Sequence, residues 1–396
     1  MPKKTVEDID VKDKRVLLRV DFNVPLNINT GVISDDSRIR ASLPTIKYLV
    51  SRKARVIICS HLGRPKGKVV ESLRMAPIAQ RLSELVDLPV ITASDCTGPE
   101  VESKAGKLKE GDILVLENLR FHPEEEENDA GFARKLAGLA DIYVNDAFGT
   151  AHRAHASTVG VAKYLPAVAG FLMTKELRVM EKLLHDPERP SACLIGGAKV
   201  SDKMELLQNM LKRVDMLLVG GGMAATFLKA EGYEVGHSLV EDDKLELAKK
   251  LLQEAKEWKV PFLLPIDAIV AEEIRAGAST RVVPTTNIPV ASHIVDIGPK
   301  SIALFQNGLK KCRTVMWNGP MGIYEMPQFA QGTRAIASFL STLDATTIIG
   351  GGSSVEVVQE MGLTGKMTHV STGGGASLRF LEGATLPGVE VLLDRK

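Results

Sequence analysis

Short apolar runs alternate along this chain with segments of helical periodicity, and this alternation limits the possible fold more than any other feature. Several runs are continuously apolar, as expected of parallel strands that are covered on both faces. Between them lie amphipathic segments such as Asp202–Val214, where Leu207, Met210, Leu211 and Val214 recur at helical spacing. We therefore predict an α/β protein with doubly wound parallel sheets. The predicted strands are Val16–Val20, Val56–Ser60, Ile113–Glu117, Ile142–Asn145, Ala192–Ile195, Met216–Val219, Pro261–Leu264, Thr314–Trp317 and Thr346–Ile349.

The length of the chain favours two domains, because 396 residues exceed what one hydrophobic core usually serves. Residues 166–185 have the pattern of one long amphipathic helix that stops at Asp186-Pro187. We predict two Rossmann-like domains joined by this helix, with a cleft between them. The predicted first domain covers residues 1–170, and the second begins at residue 171.

Composition excludes several classes of function. The chain has 50 basic and 49 acidic residues, a balance that argues against a nucleic-acid binder. No uncharged run reaches membrane-spanning length, and the N-terminus becomes acidic too early for a signal peptide. The four cysteines are scattered without a C-x-x-C pair or a histidine at ligand spacing, so we expect reduced, packed thiols. These features predict a soluble, cytoplasmic protein.

In the first half, the predicted strands lead into arginines. Arg64, Arg120 and Arg153 each follow a strand closely, and Arg38 lies in the loop after the first strand. Because the carboxyl ends of parallel strands gather at one edge of a sheet, we expect the four to converge there. Guanidinium groups bind carboxylate and phosphate oxygens in pairs. The expected ligand is a small molecule with more than one anionic group.

Each of these residues also has an ordinary structural explanation. A single arginine after a strand is usually a solvated loop residue of little energetic weight. Four at equivalent positions are harder to explain in this way. His61 alone is most simply structural, but within His61-Leu62-Gly63-Arg64-Pro65 it gains a hydrogen-bonding role. Glu124–Glu127 is interpreted as a solvated acidic loop without a function.

In the second half, the apolar runs lead into glycines, at Gly196-Gly197, Gly220-Gly221-Gly222, Gly350-Gly351-Gly352 and Gly373-Gly374-Gly375. Glycine lets backbone N–H groups approach phosphate oxygens, and a following helix N-terminus favours negative charge. Lys199 and Lys203 are one helical turn apart and could present two ammonium groups from one face. A single glycine pair is more often a tight turn, but four such turns favour a nucleotide site.

Two nucleotide-binding patterns can be compared with these turns. A Walker A loop is excluded, because Gly365-Lys366-Met367 lacks the upstream glycine and the hydroxyl residue. Gly220-x-Gly222-x-x-Ala225 fits a loose dinucleotide pattern, and Glu241 follows at about the expected distance of roughly 20 residues. An NAD-dependent dehydrogenase is therefore the alternative enzyme class, although it leaves the arginines and lysines without a purpose. A binding protein without catalysis is a third class, which would be expected to lack these cations.

The sequence resembles the phosphoglycerate kinase family along essentially its whole length. The motifs that carry the resemblance occur in the family's order. They are Arg19-Val20-Asp21-Phe22-Asn23-Val24-Pro25, His61-Leu62-Gly63-Arg64-Pro65, Leu116-Glu117-Asn118-Leu119-Arg120-Phe121, Asn145-Asp146-Ala147-Phe148-Gly149-Thr150-Ala151-His152-Arg153, Gly196-Gly197-Ala198-Lys199-Val200-Ser201-Asp202-Lys203, Trp317-Asn318-Gly319-Pro320-Met321-Gly322 and Ser371-Thr372-Gly373-Gly374-Gly375-Ala376-Ser377.

The resemblance implies which residues bind the two substrates and that the members are cytosolic monomers of glycolysis. It implies that the first domain binds 3-phosphoglycerate, that residues 171–376 form the nucleotide-binding domain, and that residues 377–396 return to the first domain. The implied phosphoglycerate residues are Asp21, Phe22, Asn23, Arg38, His61, Leu62, Gly63, Arg64, Arg120 and Arg153. The implied nucleotide residues are Lys199, Lys203, Asn318, Glu325, Gly351, Gly352, Ser353 and Ser354.

One departure from the family concerns the metal. Many members carry Asp after the third glycine of the Gly350 loop, where it helps to hold Mg²⁺, and this chain has Ser353. A neutral hydroxyl is a weaker ligand for a hard cation than a carboxylate. We therefore expect Mg²⁺ to be held mainly by the phosphates of ATP or ADP and by water, and we assign no protein ligand to it from the sequence.

The chemistry of phosphoryl transfer fits this set of residues. A loose transition state needs in-line positioning and neutralisation of charge, for which Arg38 and Lys199 are the predicted catalytic residues. When ATP is the donor, the acceptor is a carboxylate that is already ionised, so no general base is required. If the substrates bind separate domains, the long helix and its neighbours must hinge to bring them together and exclude water.

Overall fold

The computed structural model describes residues 2–27 and 30–395. Its contacts divide the chain into two compact units. Unit 1 contains the chain up to Arg178 together with the segment that begins at Thr385, and unit 2 is Val179–Ala384. The boundaries expected from the sequence, at residues 170 and 376, each lie eight residues earlier. In the described part of the chain, no helix is long and apolar enough to cross a membrane.

Unit 1 is built around a six-stranded sheet whose strands are all parallel, in the order β3-β4-β2-β1-β5-β6. Aliphatic side chains such as Val16, Leu18, Val56 and Ile58 form its core against the covering helices. The strands are β1 Arg15–Arg19, β2 Arg55–Cys59, β3 Val90–Thr92, β4 Ile113–Val115, β5 Ile142–Asn145 and β6 Ala167–Ala169. The helices are α1 Ser37–Ser51, α2 Ala76–Val86, α3 Pro99–Lys107, α4 Pro123–Glu126 and α5 Ala130–Gly138.

The long helix predicted over residues 166–185 is wrong at its beginning. Helix α6 covers Phe171–His185, while Ala167–Ala169 form strand β6 and pair with β5. The N-terminus of α6 is fixed from unit 1, since Asp146 Oδ1 accepts from Leu172 N at 2.8 Å and from Met173 N at 3.2 Å. Three small apolar residues therefore join a sheet edge, a contact that helical periodicity cannot reveal.

Unit 2 repeats this plan. Its six-stranded sheet is parallel throughout, in the order β15-β14-β13-β7-β8-β9, and a separate antiparallel sheet has the order β11-β10-β12. The strands are β7 Ser191–Ile195, β8 Met216–Val219, β9 Phe262–Leu263, β10 Asp267–Ala271, β11 Arg281–Pro284, β12 His293–Ile297, β13 Thr314–Asn318, β14 Thr346–Gly350 and β15 His369–Val370. The helices are α7 Met204–Leu211, α8 Met223–Ala230, α9 Leu245–Glu257, α10 Pro299–Leu309, α11 Gln331–Leu340, α12 Gly352–Glu360 and α13 Gly375–Leu381.

The helix predicted over Asp202–Val214 is divided, because a 3-10 turn at Ser201–Lys203 precedes α7. The proposed α/β class with two parallel sheets is confirmed.

The last segment of the chain is part of unit 1. It contains the short helix α14, Pro387–Glu390. The backbone of Leu393 is hydrogen-bonded to two parts of unit 1. Its carbonyl accepts from Lys4 N at 2.7 Å, and its N–H donates to Ala167 O at 3.0 Å. Gly388 N donates to Ala151 O at 2.8 Å, and Gly388 O accepts from Asn145 Nδ2 at 3.1 Å. The end of the chain thus closes over the loop that follows β5.

Candidate active site

The strand order of unit 1 fixes where a ligand can bind. From β1 the chain moves to β2 on one side, and it later returns to place β5 on the other side of β1. A crevice forms at the carboxyl ends of two such strands, where the direction of winding changes. The loops after β1, β2 and β5 end at this edge, together with the 3-10 turn Leu119–Phe121 that follows β4. We call this region, with its five arginines Arg19, Arg38, Arg64, Arg120 and Arg153, the arginine edge.

Two of these arginines are held by specific partners. Arg38, in the first turn of α1, forms an ion pair with Asp21, whose side chain is almost buried. Arg19 ends β1 and is only 1% exposed. Its Nε donates to Ser157 Oγ at 2.9 Å, and Nη1 donates to the carbonyl of Val20. Arg19 belongs to one of the family motifs in the sequence, but it was not among the predicted site residues.

The loops of this edge are bonded to one another by backbone and amide groups. Asn23 Oδ1 accepts from Gly63 N at 2.8 Å. Asn118 Oδ1 accepts from Leu62 N at 3.1 Å, and its Nδ2 donates to Leu62 O at 2.7 Å. Phe22 is fully buried, and its N–H donates to Ser60 Oγ at 2.9 Å. Phe22 and Leu62 therefore shape the edge through their backbone positions, while Asn23 connects two of its loops.

The remaining arginines differ in exposure. Arg120 is largely buried, donates from Nη1 to Gly63 O at 2.9 Å and lies 3.1 Å from Glu126. Arg153 is half-buried and donates to its neighbour His152 at 3.2 Å. Arg64 is exposed on the loop after β2. The arginine edge thus combines anchored, desolvated guanidinium groups with one that remains accessible to solvent.

Two histidines at this edge are neutral, mainly because they are buried. Burial, followed by the charges of Arg19, Arg120 and Arg38, holds the pKa of His61 well below its ordinary value of 6.5. Burial and the neighbouring arginines lower the pKa of His155 to about 4. Both imidazoles are therefore neutral at physiological pH. The arginines, which add to the effect of burial here, also attract an anionic ligand.

The prediction that Glu124–Glu127 form a solvated acidic loop is wrong for Glu125. Glu125 is fully buried, and its carboxylate accepts from Ser157 N at 2.9 Å and from Ser157 Oγ at 2.6 Å. Burial raises its pKa, while Arg19 opposes the rise. A run of four glutamates gives no sign of which one points inward, so this residue could be found only from the fold.

In unit 2, the winding direction changes between β7 and β13, which are neighbours in the sheet. Lys203, after β7, donates from Nζ to Oδ1 of Asn318, the last residue of β13. Burial lowers the pKa of Lys203. Asn318 is fully buried, and its Nδ2 has no hydrogen-bond partner among the described residues. The pair therefore offers an ammonium group and an unused amide donor at the edge where a ligand is expected.

The glycine-rich turns of unit 2 do not all have the same role. Gly319 has a φ of +98°, and a Cβ there would collide with the carbonyl oxygen of Gly196. Gly221 has a φ of +69° and packs against Gly197 and Pro320. These glycines let three strand-end loops pack closely. By contrast, a Cβ on Gly352 would meet nothing within 4 Å, and the same is true at Gly197 and Gly374, but Gly352 differs from these two because its φ is not positive.

The turn at Gly351–Ser354 begins α12, whose first free N–H groups favour an anion. Ser354 is fully buried, and its Oγ accepts from Gly319 N at 2.7 Å, so its hydroxyl is used within the protein. Ser353 is half-buried near the hydroxyl of Tyr324. Glu325 follows Tyr324 and is exposed. Among the described residues of this turn, none supplies a carboxylate for a metal ion.

The prediction that Lys199 and Lys203 could present their ammonium groups from one helical face is wrong, because Lys199 is not in a helix. Lys199 is exposed and lies before the 3-10 turn Ser201–Lys203, whereas Lys203 is half-buried. The two lysines therefore come from differently shaped parts of the chain. Lys203 is tied to the end of β13, and Lys199 lies on the more accessible loop.

One cysteine lies in a mixed cluster that spacing along the chain did not reveal. Asp95, Cys96 and His122 bring their ligand atoms within 4.8 Å of one another. His122 Nε2 lies 2.5 Å from Asp95 Oδ1, and Cys96 Sγ donates to Glu117 O at 3.0 Å. The three groups thus have partners within the protein. All four cysteines are free and buried, as expected.

Two parallel sheets, each with cations or glycine turns at the carboxyl ends of its strands, are typical of α/β enzymes that act on phosphorylated small molecules. A family model described as phosphoglycerate kinase matches residues 6–384. Phosphoglycerate kinase from Pelotomaculum thermopropionicum is 58% identical over 395 residues, with 100% of each chain covered, and that from Moorella thermoacetica is 56% identical with the same coverage. The solved structure of phosphoglycerate kinase from Coxiella burnetii has a TM-score of 0.88 at 40% identity, with 98% of each chain covered.

The chain belongs to the phosphoglycerate kinase family. It is a transferase of glycolysis that moves a phosphoryl group between a nucleotide and the carboxyl group of 3-phosphoglycerate, with ATP or ADP as co-substrate. The dehydrogenase alternative is not supported. Glu241, which that alternative assigned to a ribose, accepts instead from Ser201 N at 2.9 Å and from Ser201 Oγ at 2.5 Å.

Proposed function

We propose that the arginine edge of unit 1 binds 3-phosphoglycerate and that the β7–β13 edge of unit 2 binds the nucleotide. The observation that carries the first assignment is the set of five arginines at the carboxyl ends of the parallel strands, with Arg38 oriented by Asp21, Arg19 by Ser157 and Arg120 by Gly63. A substrate with a phosphate at one end and a carboxylate at the other offers the charges that these arginines attract.

Each predicted residue of unit 1 has a role in this proposal. The exposed Arg64 and the half-buried Arg153 would receive the phosphate, and Arg120 would support the loop after β2 by donating to Gly63 O. Arg38 keeps its orientation through Asp21 and leaves further N–H groups for the transferred phosphoryl. Asp21 and Asn23 accept hydrogen bonds and are suited to the substrate hydroxyl.

In unit 2, Lys203 and the amide of Asn318 would contact nucleotide phosphates, while the N–H groups at Gly351–Ser354 would bind a phosphate oxygen. Lys199, exposed on its loop, would follow the transferred phosphoryl, and Glu325 would accept from ribose hydroxyls. Magnesium enters as part of the nucleotide substrate. The neutral Ser353 suits a site in which phosphates and water supply most of its ligands.

Transfer then needs no general base in the protein. The acceptor carboxylate is already ionised, and a neutral His61 does not need to take up a proton. Arg38 and Lys199 would neutralise the charge on the equatorial oxygens during in-line transfer. Because each unit holds one substrate, we infer a hinge that includes α6 and a closing motion that excludes water. We further propose that the protein acts as a cytoplasmic monomer.

A coupled assay with 3-phosphoglycerate and MgATP tests the assignment of the two edges. Arg38→Ala should reduce kcat by at least about a hundredfold if it stabilises the transition state. Arg40→Ala is a matched control on the same helix, because Arg40 is exposed and pairs with Asp36 at 2.8 Å. Wild-type turnover in Arg38→Ala would refute the assignment.

The nucleotide edge has its own test. Lys203→Ala should raise the KM for MgATP about tenfold and leave the KM for 3-phosphoglycerate unchanged. Lys212→Ala is the control, since Lys212 is exposed at the end of α7. A change in both KM values for Lys203→Ala would contradict separate binding edges.

A further inference from the structure

Behind the arginine edge lies a chain of hydrogen bonds that the proposed chemistry does not use. We call it the buried relay, and it consists of Glu125, Ser157 and Arg19. Ser157 Oγ donates to Glu125 Oε1 at 2.6 Å and accepts from Arg19 Nε at 2.9 Å. All three residues are at most 1% exposed. A buried carboxylate and a buried guanidinium are thus joined through a single hydroxyl.

The far end of the buried relay contacts a predicted substrate residue. Arg19 Nη2 lies 3.3 Å from His61 Nδ1. A guanidinium nitrogen can only donate, so Nδ1 must be the acceptor in this contact. His61 is neutral, because burial and the charges of Arg19, Arg120 and Arg38 hold its pKa well below 6.5. A neutral imidazole that accepts at Nδ1 carries its proton at Nε2.

The other groups that face His61 do not compete for Nδ1. Asp21 Oδ1 lies 3.9 Å from it, beyond hydrogen-bond distance, and accepts from Asn23 N at 3.4 Å, while Oδ2 pairs with Arg38. His155 is kept neutral by its own burial and arginine neighbours. The contact with Arg19 therefore determines the tautomer.

We propose that the buried relay holds His61 as its neutral Nε2–H tautomer, so that His61 gives 3-phosphoglycerate one N–H donor. Arg19 sets the tautomer, Ser157 fixes the guanidinium, and Glu125 supplies the charge that keeps the guanidinium in place. Glu125 and Ser157 are positioning residues, because they act on the substrate only through Arg19 and His61. This inference rests on the proposed binding of 3-phosphoglycerate by the arginine edge.

The tautomer can be measured without any substrate. Long-range ¹H–¹⁵N spectra of the full-length enzyme, with the histidine rings labelled, distinguish a protonated from an unprotonated ring nitrogen. The His61 signals are assigned by comparison with His61→Asn. The wild-type enzyme should show Nδ1 unprotonated and Nε2 protonated at neutral pH. A protonated Nδ1 at neutral pH would overturn the inference.

Two variants test whether the buried relay is the cause. Ser157→Ala removes the acceptor of Arg19 Nε. Glu125→Gln keeps the size of the side chain, but its amide group donates to Ser157 where the carboxylate accepts. In both variants we expect a mixture of His61 tautomers and a KM for 3-phosphoglycerate that is about tenfold higher, with kcat within about twofold of wild type. If the tautomer stays unchanged in both variants, the relay does not set it.

Glu127→Gln is the matched control, because Glu127 belongs to the same run of glutamates and is exposed. It should change neither the spectrum nor the KM. The outcomes also separate this inference from the assignment of the edge. If the wild-type enzyme shows the Nε2–H tautomer but every arginine variant of unit 1 keeps a normal KM for 3-phosphoglycerate, only the binding assignment is refuted. A shifted tautomer with an unchanged KM would remove His61 from the set of substrate donors.

Discussion

The cations of the two units are fixed in different ways at the level of single residues. Arg38 pairs with a carboxylate, whereas Lys203 pairs with the neutral amide of Asn318. A lysine with an amide partner keeps its full charge for a ligand, and burial already lowers its pKa. If Lys203 binds the nucleotide as proposed, the amide of Asn318 should contribute to that binding as much as the ammonium group that it orients.

Replacing Asn318 by alanine tests this pairing. We expect the KM for MgATP to rise about tenfold, because Lys203 loses its buried acceptor, and unit 2 to lose about 1 to 3 kcal/mol of stability. Both tryptophans, Trp258 and Trp317, belong to unit 2, so urea unfolding followed by their fluorescence reports on this unit. The exposed Gln253→Ala is the control. An unchanged KM would show that Lys203 is oriented by something else.

The arginines of unit 1 were easier to predict from the sequence than the buried residues that hydrogen-bond to them. Arg64, Arg120 and Arg153 could be named because each closely follows a strand of a parallel sheet, and strand ends converge by geometry. Arg38 was expected in a loop after the first strand, but it lies in the first turn of α1. Glu125 could not be named, since its burial depends on Ser157, which is 32 residues away in the sequence. Long-range partners of buried charges leave no local pattern.

At the level of elements, the glycine turns of unit 2 separate into packing positions and an open position. Gly319→Ala should cost about 3 kcal/mol or more, because its φ of +98° and the carbonyl of Gly196 both exclude a side chain. Gly352→Ala should leave the stability almost unchanged, since the space around its Cβ is empty, but should raise the KM for MgATP. Urea unfolding and steady-state kinetics of the two variants test this contrast. Equal stability losses would refute it.

The N-terminus of α6 contains a titratable cap. Burial raises the pKa of Asp146 from 3.8 to about 6, and its Oδ2 has no hydrogen-bond partner among the described residues. A carboxyl with a raised pKa contributes stability below about pH 4, and this contribution is lost as the pH rises through about 6. At neutral pH, where the Asp146 carboxyl is ionised, this contribution to the stability is therefore absent.

Hydrogen exchange can follow this cap directly. In the wild type, the protection of the Leu172 and Met173 amides should fall between about pH 4 and pH 7. Asp146→Asn keeps an oxygen for both N–H groups but cannot ionise, so its protection should remain nearly constant. The Tyr143 amide, which donates to Pro166 O at 3.0 Å, is an internal control. The same pH dependence in both proteins would contradict the assignment.

Several elements were outside the reach of pattern analysis. Strand β6 is three residues long and looks like the start of a helix, because Ala167–Ala169 contain a single β-branched residue, Val168, and no polar alternation that would separate them from α6. The antiparallel sheet of unit 2 was not predicted, and its edge strand β11 is largely exposed. In the two parallel sheets, the ends of β1 and β8 were predicted to within one residue, whereas β4 ends two residues earlier than predicted and β3, β6 and β15 were not predicted.

For the whole molecule, the important fact is that unit 1 contains both ends of the chain and unit 2 contains neither. The final segment gives unit 1 two buried leucines, Leu386 and Leu392, and binds its first residues through Leu393. Burial of two leucine side chains contributes about 3 to 6 kcal/mol, a large part of the stability of a typical domain.

A truncation tests this dependence. Removal of all residues from Thr385 onward should destabilise unit 1 strongly and leave the tryptophan-monitored unfolding of unit 2 almost unchanged. Removal of only the last two residues is the control, because Arg395 contributes an exposed ion pair with Asp8 at 3.2 Å. Loss of the tryptophan transition in the longer truncation would show that unit 2 depends on the segment as well.

The placement of this segment also affects how the protein emerges from the ribosome. Unit 2 is an uninterrupted stretch and can fold as soon as it has left the exit tunnel. The part of unit 1 that ends at Arg178 is synthesised first, yet the segment that begins at Thr385 and covers its β5 loop is made only after unit 2. Unit 1 can therefore complete its fold only after unit 2 and the segment that begins at Thr385 have been synthesised.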